Sequence, residues 1–270
     1  MLYKHFFGYI PDIENPQTYN EKLLWLKLYW RDERCYKIAD KYEVRGYVGD
    51  AGLGDILIPL YGVYNSVEEI RLDELPKEFI IKTTHDSGGT YIVKDKTNCM
   101  QIRNAVKHIK RSLKNGVYNR TKEWVYDKIT PRIIVEQLLH DDLNESIIDY
   151  KIFCFNGKAK FLYVATDRST DVKFDFFDLD WNWMNLTNGH NNNVNHPKKP
   201  RNFDRMIEIA EILSSNFPHV RVDLYNLDGK IFFGEMTFFH FGGIVKFVPR
   251  TFDYDFGKYI EIDKISTPKK

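Results

Sequence analysis

Apolar residues first recur at helical spacing close to the start of the chain. Leu23, Leu24, Leu26 and Leu28 follow Thr18-Tyr19-Asn20-Glu21, in which Thr and Glu stand three apart as in a capping box, so a helix is expected to begin there. A second helix is expected over residues 35–48. The period then shortens. Phe79-Ile80-Ile81-Lys82 reads as a strand, residues 83–90 as a glycine-bearing loop, and Tyr91-Ile92-Val93 as the returning strand. Ile102, Val106, Ile109 and Leu113 mark one face of a helix. Pro131 introduces a strand over residues 132–136. Strands at 150–155 and 160–165 flank Asn156-Gly157, a strong short-range hairpin signal. A polar loop over 188–200 and a helix over 202–214 lead into two last strands, 220–225 and 230–235. Antiparallel hairpins mixed with helices indicate an α+β fold rather than a doubly wound parallel sheet.

Composition narrows the function classes. The 270 residues hold 39 Lys and Arg against 38 Asp and Glu, a net charge of +1. That balance supplies no basic field for a nucleic acid. The doublets Lys198-Lys199 and Lys269-Lys270 read as solvated surface. Cys35, Cys99 and Cys154 are far apart and odd in number, which fits a reducing compartment and gives no disulfide framework or metal knuckle. The start of the chain lacks a long apolar h-region, and no run approaches ~20 apolar residues. A cytoplasmic protein without stable membrane insertion is expected. With 17 Tyr, 19 Phe and 5 Trp, the core or a cleft should be rich in rings.

Three stretches carry candidate chemistry. In the last hairpin, Val220, Val222 and Leu224 are expected to face the core, leaving Arg221, Asp223 and Tyr225 on the other face. A two-residue turn at Asp228-Gly229 would put Asp223 and Glu235 on opposite faces. A three-residue turn, Leu227-Asp228-Gly229, would set Glu235 opposite Arg221 and diagonal to Asp223. The functional reading requires the three-residue turn. Two carboxylates beside a guanidinium suit Mg²⁺ bound to phosphate; a solvated sheet face has the same composition.

The second stretch is Lys82, leaving its strand beside Ser87-Gly88-Gly89, where an ammonium and backbone N–H groups could meet phosphates. It is neither a Walker motif nor GxGxxG. His85 reads as a polar loop residue rather than a base. The third, Ile133-Ile134-Val135-Glu136-Gln137-Leu138-Leu139, ends an apolar strand in polar groups that could meet an adenine edge.

The order of these elements resembles the ATP-grasp superfamily, and more closely the ATP-grasp family associated with teichuronopeptide and other surface-polysaccharide biosynthesis. The residues that carry the likeness are Asn20-Glu21-Lys22, Asp40-Lys41-Tyr42-Glu43-Val44-Arg45, His85-Asp86-Ser87-Gly88-Gly89 and Pro131-Arg132-Ile133-Ile134. Asp149-Tyr150-Lys151-Ile152-Phe153-Cys154-Phe155-Asn156-Gly157, Arg221-Val222-Asp223 and Phe233-Gly234-Glu235-Met236-Thr237-Phe238 complete it, over roughly residues 16–262.

The resemblance implies two α+β subdomains clamping ATP: a helical lead at 1–45, an N-terminal subdomain with the glycine-loop lid at 46–130, a C-terminal subdomain with the adenine and Mg²⁺ sites at 131–262, and a tail at 263–270. It implies an enzyme joining a carboxylate, such as a uronic acid or glycan precursor, to an amine at the expense of ATP. Lys41, Lys82 and Lys151 would serve the nucleotide, with Ser87, Gly88 and Gly89 as lid and Glu136, Gln137, Leu138 and Leu139 around adenine. Asp223 and Glu235 would ligate Mg²⁺, while Arg221 and Lys82 would act on the transferring phosphoryl group. Thr237 stands where the superfamily commonly carries Asn, so a hydroxyl would take that place beside the metal. Two other readings are a glycosyltransferase, from the DxD at Asp178–Asp180, and a nucleotide-binding module without catalysis. Trp181, Trp183, Phe238, Phe239 and Phe241 could stack on sugar rings or simply fill a core.

Overall fold

The computed structural model describes residues 2–141, 146–167 and 171–266. Lys269-Lys270 and the last four residues of the expected tail lie outside them. Helices run Leu2–Phe7 (α1), Tyr19–Tyr29 (α2), Arg34–Ala39 (α3), Val44–Asp50 (α4) and Cys99–Lys114 (α5). Val117–Thr121 (α6), Phe203–Ser214 (α7) and Thr251–Gly257 (α8) follow. Strands run Leu60–Tyr64 (β1), Phe79–Thr83 (β2), Thr90–Val93 (β3), Ile133–Glu136 (β4), Asp149–Phe155 (β5) and Lys158–Thr166 (β6). Lys173–Asp178 (β7), Trp183–Met184 (β8), Thr187–Asn188 (β9), His219–Leu227 (β10), Lys230–Thr237 (β11) and Phe247–Val248 (β12) complete them.

The chain divides into two compact units, Glu33–Leu139 and the combination of Met1–Asp32 with His140–Lys270. These bounds differ from the expected 45/46 and 130/131 divisions. β4 pairs with β1 and β2 and so folds with the segment before it.

In the Glu33–Leu139 unit the antiparallel sheet has the order β1-β4-β2-β3. Phe79, Ile81, Ile133 and Val135 form its buried face, packed with Ala105 and Ile109 of α5. The Asn98 side chain caps α5 by accepting from the N–H groups of Met100 and Gln101. The single helix expected over 35–48 is two helices. Between them the Asp40 carboxylate accepts from the N–H groups of Tyr42 and Glu43, at 2.7 and 2.9 Å, and this local bonding competes with helical continuation.

In the other unit the antiparallel order is β11-β10-β5-β6-β7-β8. The capping box forms as expected: Thr18 accepts from Glu21 N–H, and the Glu21 side chain accepts from Thr18 N–H. α2 then buries Tyr19, Leu23 and Leu26, spaced i, i+4, i+7. Asn156 and Gly157 form the expected two-residue turn, both in the left-handed region at φ 48° and 76°. Both faces of the central strands are covered. Val220, Val222, Ile152 and Leu162 lie on one, where the Cys154 thiol contacts the Ala210 carbonyl of α7. On the other, Phe153 stacks on Phe161 at 4.5 Å and Phe161 on Phe256 of α8 at 3.8 Å. Burying each such ring contributes about 1.5–3 kcal/mol.

Candidate active site

The charged cluster lies on the Phe153 side of the larger sheet. Strand alternation brings Asp149 and Lys151 of β5, Arg221 and Asp223 of β10, and Glu235 and Thr237 of β11 to one face. The β10–β11 turn is the two-residue Asp228-Gly229, with φ 50° and 95°, and not the three-residue turn that the sequence reading required. Asp223 and Glu235 nonetheless stand directly opposite each other, because one extra residue enters β11 at a bulge where Leu224 pairs with Phe233 and Asp223 with Glu235. Gly234 is that residue. A Cβ there would stand 2.9 Å from the Asp223 carbonyl oxygen, so only glycine permits the approach.

The Arg221 face, read from the sequence as the one away from the core, is buried: Arg221 is 7% exposed and Asp223 1%. Arg221 Nε donates to Asp223 Oδ1 at 2.7 Å and Nη2 to Oδ2 at 2.7 Å. Nη2 also reaches Thr237 Oγ1 at 3.1 Å and Glu235 Oε1 at 3.5 Å. The Lys151 ammonium bridges Asp149, at 2.7 Å, and Asp223. Burial opposes the charge on Lys151, but Asp149 and Asp223 outweigh it and raise its pKa. Arg221 is raised well above its ordinary value in the same way, burial being overcome by Asp223. Burial pushes the Asp223 carboxyl up against the pull of Arg221 and Lys151; the two-pronged guanidinium contact is that of a carboxylate. His240 is held neutral by burial and by Arg221. It accepts from Arg221 Nη1 at 2.8 Å and so donates from Nε2 to Asn188 Oδ1 at 2.7 Å.

The cluster thus holds three carboxylates against two cations. Among the described residues no group of three or more acids, histidines or cysteines is arranged to hold a metal by itself. Mg²⁺ characteristically takes one or two carboxylates and completes its shell with phosphates and water. The opposed pair Asp223 and Glu235, with the Thr237 hydroxyl 3.4 Å from Glu235 Oε1, offers the two carboxylates of that mode, with Asp223 Oδ1 and Oδ2 each already accepting from Arg221 and Glu235 the more open of the two.

The Glu33–Leu139 unit holds the other predicted residues. Lys82 Nζ pairs with Glu136 Oε2 at 2.7 Å, and Arg45 Nη1 with Glu136 Oε1 at 3.0 Å. The Glu136 side chain, placed beside adenine by the sequence reading, is committed to these two cations. Gln137 N–H donates to the Pro59 carbonyl, and Leu138 and Leu139 are buried. Lys41 Nζ donates to the Asp86 carbonyl at 2.8 Å. The Asp86 carboxylate accepts from Ser112 Oγ at 2.7 Å and Arg120 Nη2 at 2.8 Å. The glycine loop is therefore pinned at one place and open at another: Ser87 and Gly88 are exposed, whereas Gly89 is buried against Thr83 and Ser112.

The sequence profile described as TupA-like ATPgrasp matches residues 21–261. The chain belongs to the TupA-like ATP-grasp family. No curated protein matches it. Among solved structures, this ATP-grasp protein is similar to D-alanine–D-alanine ligase from Bacillus anthracis complexed with ATP, at 15% identity and TM-score 0.43, covering 74% of this chain and 53% of that one. It is similar to an ADP complex of N5-carboxyaminoimidazole ribonucleotide synthetase at 13% identity and TM-score 0.49, covering 81% and 50%. L-amino acid ligase from Bacillus licheniformis matches at 12% identity and TM-score 0.45, covering 77% and 44%. The chain spans about half the length of these proteins.

Within this family member the DxD belongs to a turn. Asp178 Oδ1 accepts from the N–H groups of Asp180 and Asn182 at 3.0 and 2.8 Å, and Oδ2 from Asn182 Nδ2 at 2.9 Å. Phe238 and Phe239 are core residues, and Trp181 stacks on Phe177. Trp183 and Phe241 stay exposed. Sequence reasoning named Asp149 and Arg45 only as part of the family likeness, without a role, and did not single out His240. Asp149 was within reach, because it precedes Lys151 by two in a strand and so shares its face. No helix among the described residues is long and apolar enough to cross a membrane.

Proposed function

We propose that the protein is an ATP- and Mg²⁺-dependent carboxylate–amine ligase. The observation that carries this reading is the direct opposition of Asp223 and Glu235, with Arg221 and Thr237 on the same sheet face, in a member of an ATP-grasp family. A carboxylate resists attack by an amine because oxide is a poor leaving group. Transfer of the γ-phosphoryl of ATP to a carboxylate oxygen releases ADP and gives an acyl-phosphate; the amine then attacks the carbonyl carbon, phosphate leaves, and an amide remains. Mg²⁺, when bound, supplies charge neutralisation at the phosphates.

In this reading Asp223 and Glu235 hold the metal and Thr237 lies beside them. Arg221, fixed by Asp223 and His240, steadies the phosphoryl oxygens. Lys151, held by Asp149, adds a second positive charge, and Lys41 and Lys82 contact the nucleotide phosphates. Ser87, Gly88 and Gly89 shield the acyl-phosphate from water, and the segment ending in Gln137, Leu138 and Leu139 takes the adenine. The family name points toward polysaccharide biosynthesis, where the carboxylate would be one on a surface-glycan precursor such as a uronic acid, and the use of ATP fits a cytoplasmic setting.

The test is thermal shift with ATP, ADP and UDP-glucose, with and without Mg²⁺, followed by ADP release with uronic acids and amines. Ligand at 100 Kd stabilises by roughly 2.7 kcal/mol. The wild type should respond to ATP with Mg²⁺, and Glu235→Gln should lose the Mg²⁺-dependent part. A response to UDP-glucose alone would refute the reading.

A further inference from the structure

The sequence makes His85 an ordinary polar residue of an exposed loop, and the structure does not. Its side chain is 5% exposed, and neither ring nitrogen makes a close hydrogen bond among the described residues, the Ser112 backbone being the polar group that bears on the ring. Lys41 brackets it on both sides along the chain. The Lys41 N–H donates to the carbonyl of Thr84 at 3.2 Å, and the Lys41 ammonium donates to the carbonyl of Asp86 at 2.8 Å. Gly116 closes over the ring, where a Cβ would stand 3.5 Å from His85 Cδ2.

A buried imidazole carries one N–H donor and one lone-pair acceptor, and leaving both unmet is costly. Leucine would fill similar space without that cost. Groups that break local rules for stability in this way concentrate where a ligand uses them. Burial also lowers the His85 pKa from its ordinary value, so at neutral pH the ring is a neutral donor beside a cation. The neighbouring Ser87 and Gly88 are the exposed part of the loop, and no heavy atom lies closer than 3.8 Å to a Cβ built on Gly88. Among the described residues, Ser87 and Gly88 are held only at the Gly88 carbonyl, which accepts from His108 Nε2 at 2.9 Å, while Asp86 and Gly89 on either side are buried and held.

We propose that His85 is a further phosphate ligand of the nucleotide, donating its ring N–H to a phosphoryl oxygen beside Lys41 once Ser87 and Gly88 move aside. The inference rests on the ATP-binding reading above and assigns to that site a residue it does not contain. Neutral hydrogen bonding from His85 and charge from Lys41 divide the work of phosphate recognition.

The experiment titrates ATP and adenosine into the full chain, reading affinity by calorimetry and the His85 ring nitrogens by ¹⁵N resonance. In the wild type, ATP should shift the His85 ring nitrogens and adenosine should not. His85→Leu should melt no lower than the wild type without ligand, yet bind ATP about tenfold more weakly, and His85→Gln, which keeps a donor, should recover most of the affinity. If the wild type binds no ATP, both this inference and the ligase reading fail. If the wild type binds ATP while the His85 nitrogens stay unmoved, or His85→Leu keeps its ATP affinity within twofold, the inference alone is overturned. A large drop in the melting temperature of His85→Leu together with unmoved wild-type nitrogens would make the ring structural.

Discussion

Asp223→Asn should destabilise the protein, although removing one of several clustered carboxylates commonly relieves repulsion. The difference lies in burial. Asp223 receives two contacts from Arg221, each at 2.7 Å, and one from Lys151. The substitution leaves two cations, with side chains 8% and 12% exposed, facing buried Asp149 and the 41%-exposed Glu235. Breaking a buried pair from one side costs about 3–5 kcal/mol. For a folding unit of about 150–250 residues each 1 kcal/mol moves the melting temperature by about 2–4 °C. The expected fall is therefore about 6–20 °C, measured by scanning calorimetry without nucleotide at pH 7. Adding Lys151→Met to Asp223→Asn should recover nothing, because Lys151 still pairs with Asp149 at 2.7 Å and its loss would leave that buried carboxylate without a cation; a double-mutant cycle reads the coupling directly. An Asp223→Asn protein that melts at or above the wild type would show that the cluster is not held by these contacts.

Other outcomes follow from single sites. Gly89→Ala places a Cβ 1.8 Å from Thr83 Oγ1 and 2.3 Å from Ser112 Oγ, so overpacking should cost about 1–3 kcal/mol, whereas Gly88→Ala should be nearly neutral; equal melting temperatures would refute the pinned loop. Asp178→Ala should cost about 1–2 kcal/mol by opening its turn and leave ATP binding intact. Loss of catalysis at unchanged stability would instead favour a metal role for the DxD. Burial lowers the His219 pKa to about 3 and holds His240 well below its ordinary value. Their contributions are complete above the unfolded value near 6.5 and are lost as pH falls below it, at up to about 1.4 kcal/mol per pH unit for each histidine. Asp175, Asp223 and Asp253, all raised by burial, act oppositely, so the histidine part is read as the difference between wild type and a histidine variant in urea unfolding between about pH 5 and 6.5. His219→Gln should flatten the slope, and an unchanged slope would count against the assignment.

What was legible in the chain was mostly local. The Thr18 capping box, the Asn156-Gly157 turn and the apolar face of α5 depend on residues within a few positions of each other. The break at Asp40 was also local, but a side chain folding back on its own backbone competes with a helical pattern that the apolar spacing alone supports. β1 had no clear alternation to announce it, being half-buried along most of its length, and its place depends on pairing with β4 some 70 residues away. The candidate site was legible as residue types and order, and its facing was anticipated through the wrong turn. Its burial was not legible, since the cover over Arg221 comes from His240 and from Tyr163, whose ring lies 5.9 Å from the guanidinium.

The bulge at Gly234 gives the last hairpin an isomer of equal length. Moving the surplus residue into the turn would make Leu227 pair with Ile231 and leave every partner of Arg221, Val222 and Asp223 as it is. Only Ile231, Phe232 and Phe233 would exchange faces, turning Ile231 and Phe233 away from the Val222 and Leu224 layer. The outer strand therefore carries two phases of one alternation, one matched to greasy neighbours and one to acids. Gly234 is where the phase changes, and a methyl group there would press on the Asp223 carbonyl oxygen and strain the bulge.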